Sequence, residues 1–260
     1  MLCVISPAKS LDLAPAPPEI PRSAPAFQAD AVRLARSAGR LSRARLKALM
    51  ALSDDLATLN YERFKAFSDA PAEAATKQAA LAFAGDTYAG LDFASLDAGS
   101  VAYAQGHLRI LSGLYGLLRP MDAIQPYRLE MGRRLKTGRA ESLYAYWGTR
   151  LAEGLDAAAE EAGARFLLNA ASQEYFRAAR EDALRTPVIT PVFLDEKNGV
   201  AKTISFFAKR ARGAMARFVL EHRIVDAADL AGFGWEGYRF RAEDSAPLRP
   251  VFQRSERMAA

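Results

Sequence analysis

Short apolar runs closed by small or turn-forming residues punctuate this chain, separated by longer stretches of helical periodicity. Residues 2–5, LCVI, end at Ser6-Pro7 and predict a buried strand. LRILSGLYG, 108–116, reads as a central buried strand, and ARFLLNAA, 164–171, as another. VITPVFLD and VAKTISFFA flank the turn EKNG, in which Asn198-Gly199 supplies the positive φ of a tight hairpin. A second hairpin pairs GYRFRAED with LRPVFQRS, and a frayed tail follows. Between the strands, residues 30–67 carry apolar positions at three- and four-residue spacing, split into two helices at Gly39. Residues 72–96 predict a helix, the apolar patch 79–84 and a turn at Gly85-Asp86, and a further helix covers 99–105. An amphipathic helix is predicted over 142–162, with Ser142 as N-cap and Gly163 as stop, then a short one over 172–180 and a basic one over 206–223. The prolines between 15 and 25 predict an extended loop. Strands and helices mix without strict βαβ alternation. The expected fold is therefore α+β, an irregular mixed α/β body with a central mixed sheet, spanning 1–260 as one domain.

Composition narrows the function classes. Half of the 260 residues are hydrophobic, enough for a substantial core, yet no apolar run approaches the roughly 20 residues that cross a bilayer. The N-terminus lacks the pattern of a signal peptide. Cys3 is the single cysteine, which removes an internal disulfide, and a cytoplasmic protein without membrane contact is expected. The net charge of +5 is mildly basic. The location of that charge is more informative than its total.

Familiar catalytic signatures fail here. Ser6-Pro7-Ala8-Lys9 fits S-x-x-K and Lys136-Thr137-Gly138 fits K-T-G, but Pro7 and the proline-rich run forbid the helix that would face lysine to serine. His107, placed at the start of the central strand, and His222, on the apolar side of its helix, join one cysteine in too small a set for a zinc site. No metal and no cofactor is expected, and the glycine-rich phosphate loops are absent. Cys3, alone in an apolar strand, is a poor thiol-peroxidase nucleophile.

Three basic clusters remain. The first runs from Arg33 to Lys47 without an acidic residue, the second from Arg128 to Arg139 with Glu130 and no other acid. The third lies on the helix 206–223, where Lys209, Arg210 and Arg212 oppose an apolar face and Gly213 and Ala216 leave room for a bulky anion. Residues 46–67 also fit a helix, a short hairpin at 56–60, and a second helix. Asn60 would cap that helix and present backbone N–H groups to a phosphate, with Arg63 and Lys65 beside it.

Seven stretches together resemble the YaaA family of peroxide-stress-resistance proteins. They are SPAK (6–9), LAFAGDTYAGL (81–91), LRILSGLYGLLRPMDAIQPYRLEM (108–131), LYAYWG (143–148), NAASQEYF (169–176), FLDEKNGVAKTISFFAKRARGAMARF (193–218) and GFGWEGYRF (232–240). The resemblance implies a bacterial cytosolic protein that limits oxidative damage, lowers free intracellular iron and binds DNA. It also implies a mixed α/β body with a helix-hairpin-helix element, placed here at 46–67, and a positively charged cleft. The chain departs from that element in lacking glycines near Thr58 and Asn60.

Two functional readings follow. In the first, Arg43, Asn60, Arg63, Lys65, Arg119, Arg128, Lys202, Lys209, Arg210 and Arg212 contact DNA phosphates without sequence preference. In the second, an enzyme acts on a nucleotide or nucleic acid base, with Lys9, Asp86, Tyr115 and Lys209 as candidate catalytic groups at strand ends and turns. The polar stretch 119–131 is expected to line the site, with Arg119, Tyr127 and Arg128 facing ligand and Asp122 and Glu130 orienting the arginines. Nothing in the sequence demands a dimer.

Overall fold

A computed structural model describes residues 1–17 and 19–255; the predicted tail beyond Ser255 lies outside them. The fold is α+β, built on two sheets. The larger one contains β1 (Leu2–Ile5), β2 (Leu108–Ser112), β3 (Gly116–Leu118), β4 (Leu167–Ala170) and β5 (Val188–Ile189), in the spatial order β3-β2-β1-β4-β5. Pairings β1–β2, β1–β4 and β4–β5 are parallel, and β2–β3 is antiparallel. Every residue of β1, β2 and β4 is buried, as continuous apolar runs in a parallel sheet require. A second sheet comprises β6 (Val192–Lys197), β7 (Val200–Lys202), β8 (Arg239–Phe240) and β9 (Val251–Ser255), in the order β7-β6-β9-β8. Both predicted hairpin pairings are present, and Asn198 and Gly199 take the positive φ values expected of them, 54° and 76°.

Helices cover the sheets. They are α1 (Gln28–Gly39), α2 (Arg43–Met50), α3 (Asp54–Ala66), α4 (Asp86–Leu91), α5 (Ala98–His107), α6 (Leu143–Trp147), α7 (Arg150–Glu161) and α8 (Ser205–His222). The long α8 lies against β1, β4 and β6, and crosses α4. That crossing is close because two glycines make it. A Cβ on Gly213 would lie 1.8 Å from the Thr87 carbonyl oxygen, and one on Gly90 would lie 2.0 Å from that of Arg210. Gly213 thus faces α4, not a ligand, contrary to the role the sequence suggested for it.

Several predicted boundaries change for local reasons. The segment 30–67 breaks twice, since Ala51 adopts φ 52° after α2 and the Ser53 hydroxyl accepts from Leu56 N to cap α3. The hairpin expected at 56–60 is therefore helix. Residues 72–96 break into a 3₁₀ turn, two-residue strands at Lys77–Gln78 and Phe83–Ala84, a single helical turn and α4. The predicted helix 142–162 is two, divided at Gly148 with φ 55°, although Ser142 caps α6 as expected. LRILSGLYG holds a strand and a turn, because Gly116 with φ 68° reverses the chain into β3. A Cβ there would sit 2.7 Å from the buried Trp147 ring. His107 ends α5, stacked 3.7 Å from the Tyr103 ring, and does not begin β2. His222 is exposed at the end of α8, where its ring tilts against Phe218.

Candidate functional site

The chain leaves β1 toward β2 on one side and places β4 on the other, so the direction of sheet building reverses around β1. Crevices beyond the carboxyl ends of strands at such a reversal are where open α/β sheets bind ligands. Register aligns Ile5 with Ala170, which brings Ser6 and Ser172 together just past the ends of β1 and β4. The Ser6 hydroxyl donates to Ser172 Oγ at 3.2 Å and accepts from Ser172 N at 2.8 Å. Above them opens a cavity of about 400 Å³, walled by residues 6–10, the start of α4, Glu130, Glu174, Tyr175 and one face of α8.

Two ion pairs face this cavity from different elements. Lys9 Nζ lies 3.9 Å from Glu130 Oε1, and Lys209 Nζ lies 3.9 Å from Asp86 Oδ2. The glycine-mediated crossing of α4 and α8 sets the second pair. Glu130 is buried and also receives Arg128 at 3.1 Å and Arg133 at 3.3 Å. Arg212, one turn beyond Lys209 on α8, lines the cavity as well, and burial pushes its guanidinium below the ordinary value. It has no hydrogen bond or ion pair among the described residues. Among those residues no group of three or more His, Cys, Asp or Glu side chains is placed to hold a metal.

Of the four candidate catalytic residues, Lys9, Asp86 and Lys209 line this one cavity. Tyr115 does not. It is fully buried, its hydroxyl accepts from Gln125 N at 3.0 Å, and burial raises its pKa. The polar stretch 119–131 divides likewise. Arg119 donates to Asp122 from its backbone N–H and guanidinium and to the Ala24 carbonyl, while Tyr127 is buried against Ser112 Oγ at 2.6 Å. Neither lines the cavity. Asp122 orients Arg119, as expected, and Glu130 orients Arg128, but that carboxylate is itself the group on the cavity wall.

The other phosphate-binding candidates are dispersed. Arg43 and Lys65 are exposed on α2 and α3, Lys202 on β7, and Arg63 is partly buried at the end of α3. Arg210 turns to Glu236 at 3.2 Å and to the Trp235 ring. None of these lines the cavity. Asn60 caps nothing, because α3 begins six residues earlier. Its buried amide donates to Leu56 O at 2.8 Å, and its Oδ1 lacks a partner among the described residues.

Sequence reasoning considered Ser6 only in the rejected S-x-x-K pattern and missed Ser172 and Glu174. The signal was available for the two serines, since Ser6 directly follows a fully buried strand and Ser172 lies two residues beyond the end of another. Glu174 carried none, since its approach to the Gly132 N–H at 2.9 Å depends on a contact across 42 residues. Cys3 is buried, and burial pushes its thiol up to about 12, in keeping with an unreactive side chain.

Comparison with known proteins decides the family. A family model described as peroxide stress protein YaaA matches residues 1–244. This chain belongs to the YaaA family. Similar relatives are UPF0246 proteins, from Ruegeria pomeroyi at 58% identity, Roseobacter denitrificans at 57% and Jannaschia sp. at 56%, each match covering 98% of both chains. The YaaA match includes all seven quoted stretches, and with them every residue of the cavity wall.

Proposed function

We propose that this protein binds DNA in a peroxide-stress role, protecting the cytosol against oxidative damage in connection with lowered free iron. The observation that carries the reading is a surplus of uncommitted guanidiniums. Arg40, Arg43, Arg45 and Arg63 on α1–α3 and the turn between them make no ion pair among the described residues, and neither does Arg212 on α8. A part-buried guanidinium without an internal carboxylate is costly unless an external anion meets it. Arg63 is such a group, pushed below its ordinary value by burial. Phosphates suit it, and contacts of this kind are insensitive to base sequence and sensitive to salt.

A second reading has its own observation. The cavity wall itself is nearly balanced in charge, with Lys9, Lys209 and Arg212 facing Asp86, Glu130 and Glu174. Balanced acid–base pairs at the carboxyl edge of a sheet suit chemistry on a nucleotide or base better than they suit tracking a backbone. In that role Lys9 or Lys209 serves as base or nucleophile and Asp86 as its acid–base partner.

Fluorescence anisotropy with labelled duplex across a salt series separates the readings. DNA binding predicts saturable association that weakens with salt and with Arg63→Ala, while Lys9→Ala has little effect. No association at low salt removes the first reading and leaves turnover of nucleotides, abolished by Lys209→Ala or Lys9→Ala, as the test of the second.

Among the described residues no helix is long and apolar enough to cross a membrane.

A further inference from the structure

Arg212 lies where two cavities meet. It lines the 400 Å³ cavity beyond β1 and β4, and also a wider one of about 930 Å³ whose wall includes Tyr144, Phe176 and Arg177. Four of the five carboxylates on the two walls have other partners, and the fifth, Glu181, is exposed and makes no ion pair with Arg212. Asp86 faces Lys209, Glu130 holds Arg128 and Arg133, Asp182 holds Arg180, and Glu174 accepts from Gly132 N. Arg212 therefore presents its donor fork to the junction of the two cavities, free of any partner among the described residues.

We infer that the narrower cavity receives a single unpaired nucleoside phosphate, with its phosphate on Arg212 and any continuing strand in the wider cavity. This rests on the proposal that the ligand is nucleic acid, and it names which part of the nucleic acid is held. A volume of about 400 Å³ is that of a small-molecule site, in the range of roughly 300–1,000 Å³. A duplex, whose major groove alone is about 12 Å wide, does not fit in it. A nucleotide reaches such a place only from a single strand or out of the stack. The walls match its polar edges, since the Ser6 and Ser172 hydroxyls both donate and accept, and each lysine stands beside a carboxylate. On the far side of Arg212, the Tyr144 ring carries Arg177 at 5.0 Å, a stacking surface for a neighbouring base.

The test uses the full chain, a labelled single-stranded oligonucleotide, a hairpin whose stem pairs that same sequence and whose loop is a non-nucleotide linker, and deoxyadenosine monophosphate. Variants are Arg212→Gln, Arg212→Lys and, as a control charge removal beyond the amino end of β4, Arg165→Gln. Losing a charge-assisted contact predicts at least a roughly tenfold weaker binding of single strand and mononucleotide by Arg212→Gln. Arg212→Lys recovers part of it, the hairpin changes less than about twofold, and Arg165→Gln changes nothing. Thermal melting verifies that Arg212→Gln is folded, which is expected because no internal partner is lost. Unchanged single-strand affinity, or equal losses on strand and hairpin, overturns the inference. If the wild type binds the hairpin in a salt-dependent manner while Arg212→Gln is neutral throughout, the inference alone falls. If the wild type binds strand and mononucleotide but no duplex, the backbone-tracking proposal falls and this one stands. If no nucleic acid or mononucleotide binds, both fall. Mononucleotide binding without strand binding keeps Arg212 as the phosphate anchor and overturns the strand path through the wider cavity.

Discussion

Two arginine-bearing regions of this protein look alike in sequence and differ in what their polar groups do. In the loop 119–127, each directional group ends on another part of the same chain. Asp122 is fully buried and takes the Arg119 N–H, the Arg119 guanidinium and the Ser23 hydroxyl, and Gln125 makes paired bonds to the Ser68 backbone at the exit of α3. On α8, by contrast, Lys209 reaches its carboxylate at 3.9 Å and Arg212 reaches none among the described residues. Density of polar residues marks both regions. A guanidinium without an internal partner, that of Arg212, marks only the second, and this difference separates scaffold from proposed site.

Breaking the scaffold carries the largest expected effect. Asp122→Ala removes the buried acceptor of the Arg119 backbone N–H and the Ser23 hydroxyl and one partner of the half-exposed Arg119 guanidinium, so denaturant unfolding is expected to show a loss of about 2–4 kcal/mol. Gly213→Ala attacks the link between scaffold and site. Its Cβ would overlap the Thr87 carbonyl, so at least about 1–3 kcal/mol is lost and the Lys209–Asp86 pair is pushed apart. A fall in mononucleotide binding beyond the loss of folded protein checks the second part.

On the site side the sign reverses. Arg212→Met removes an unpartnered guanidinium, and its unfolding midpoint is expected to stay within about 0.5 kcal/mol of wild type or to rise. A marked destabilisation would show that Arg212 has a structural partner and would erase the contrast between the regions.

The smallest effect concerns pH. Burial pushes the His107 imidazole below its ordinary 6.5, so the unfolded chain binds the proton first as pH falls. Its contribution is complete above that value and is lost as pH drops through the lower folded value. The Met1 amino group, also lowered by burial, acts in the same direction from a higher starting point. Urea midpoints at about pH 7.5 and about pH 5.5 should therefore converge more closely in His107→Phe than in wild type.

How legible all this was in the sequence depends on the range of the interactions involved. The apolar runs at β1, β2 and β4 announced buried parallel strands, and Asn198-Gly199 announced its hairpin, because those signals lie within a few residues. Lys9, Asp86 and Lys209 were found as strand-end and turn residues, although only the fold could put them on one cavity. Tyr115 and Arg119 were misplaced. The residues that occupy their polar groups, Gln125 and Asp122, are close in sequence, but whether a side chain turns inward there depends on distant partners, the Phe67 ring for Tyr115 and the Ala24 carbonyl for Arg119. The helix boundary at Ala51–Ser53 was missed, although Ser53 offered a cap, because the apolar periodicity continues across it.

The central claim is that α8 binds where the loop only supports. Its most direct test is a single-strand titration of Arg212→Gln beside Arg119→Gln, each corrected for the fraction folded. The account predicts that Arg212→Gln weakens binding by roughly tenfold or more while Arg119→Gln, once corrected, matches wild type. Loss of affinity in Arg119→Gln with Arg212→Gln unaffected would place the ligand on the loop and contradict the account.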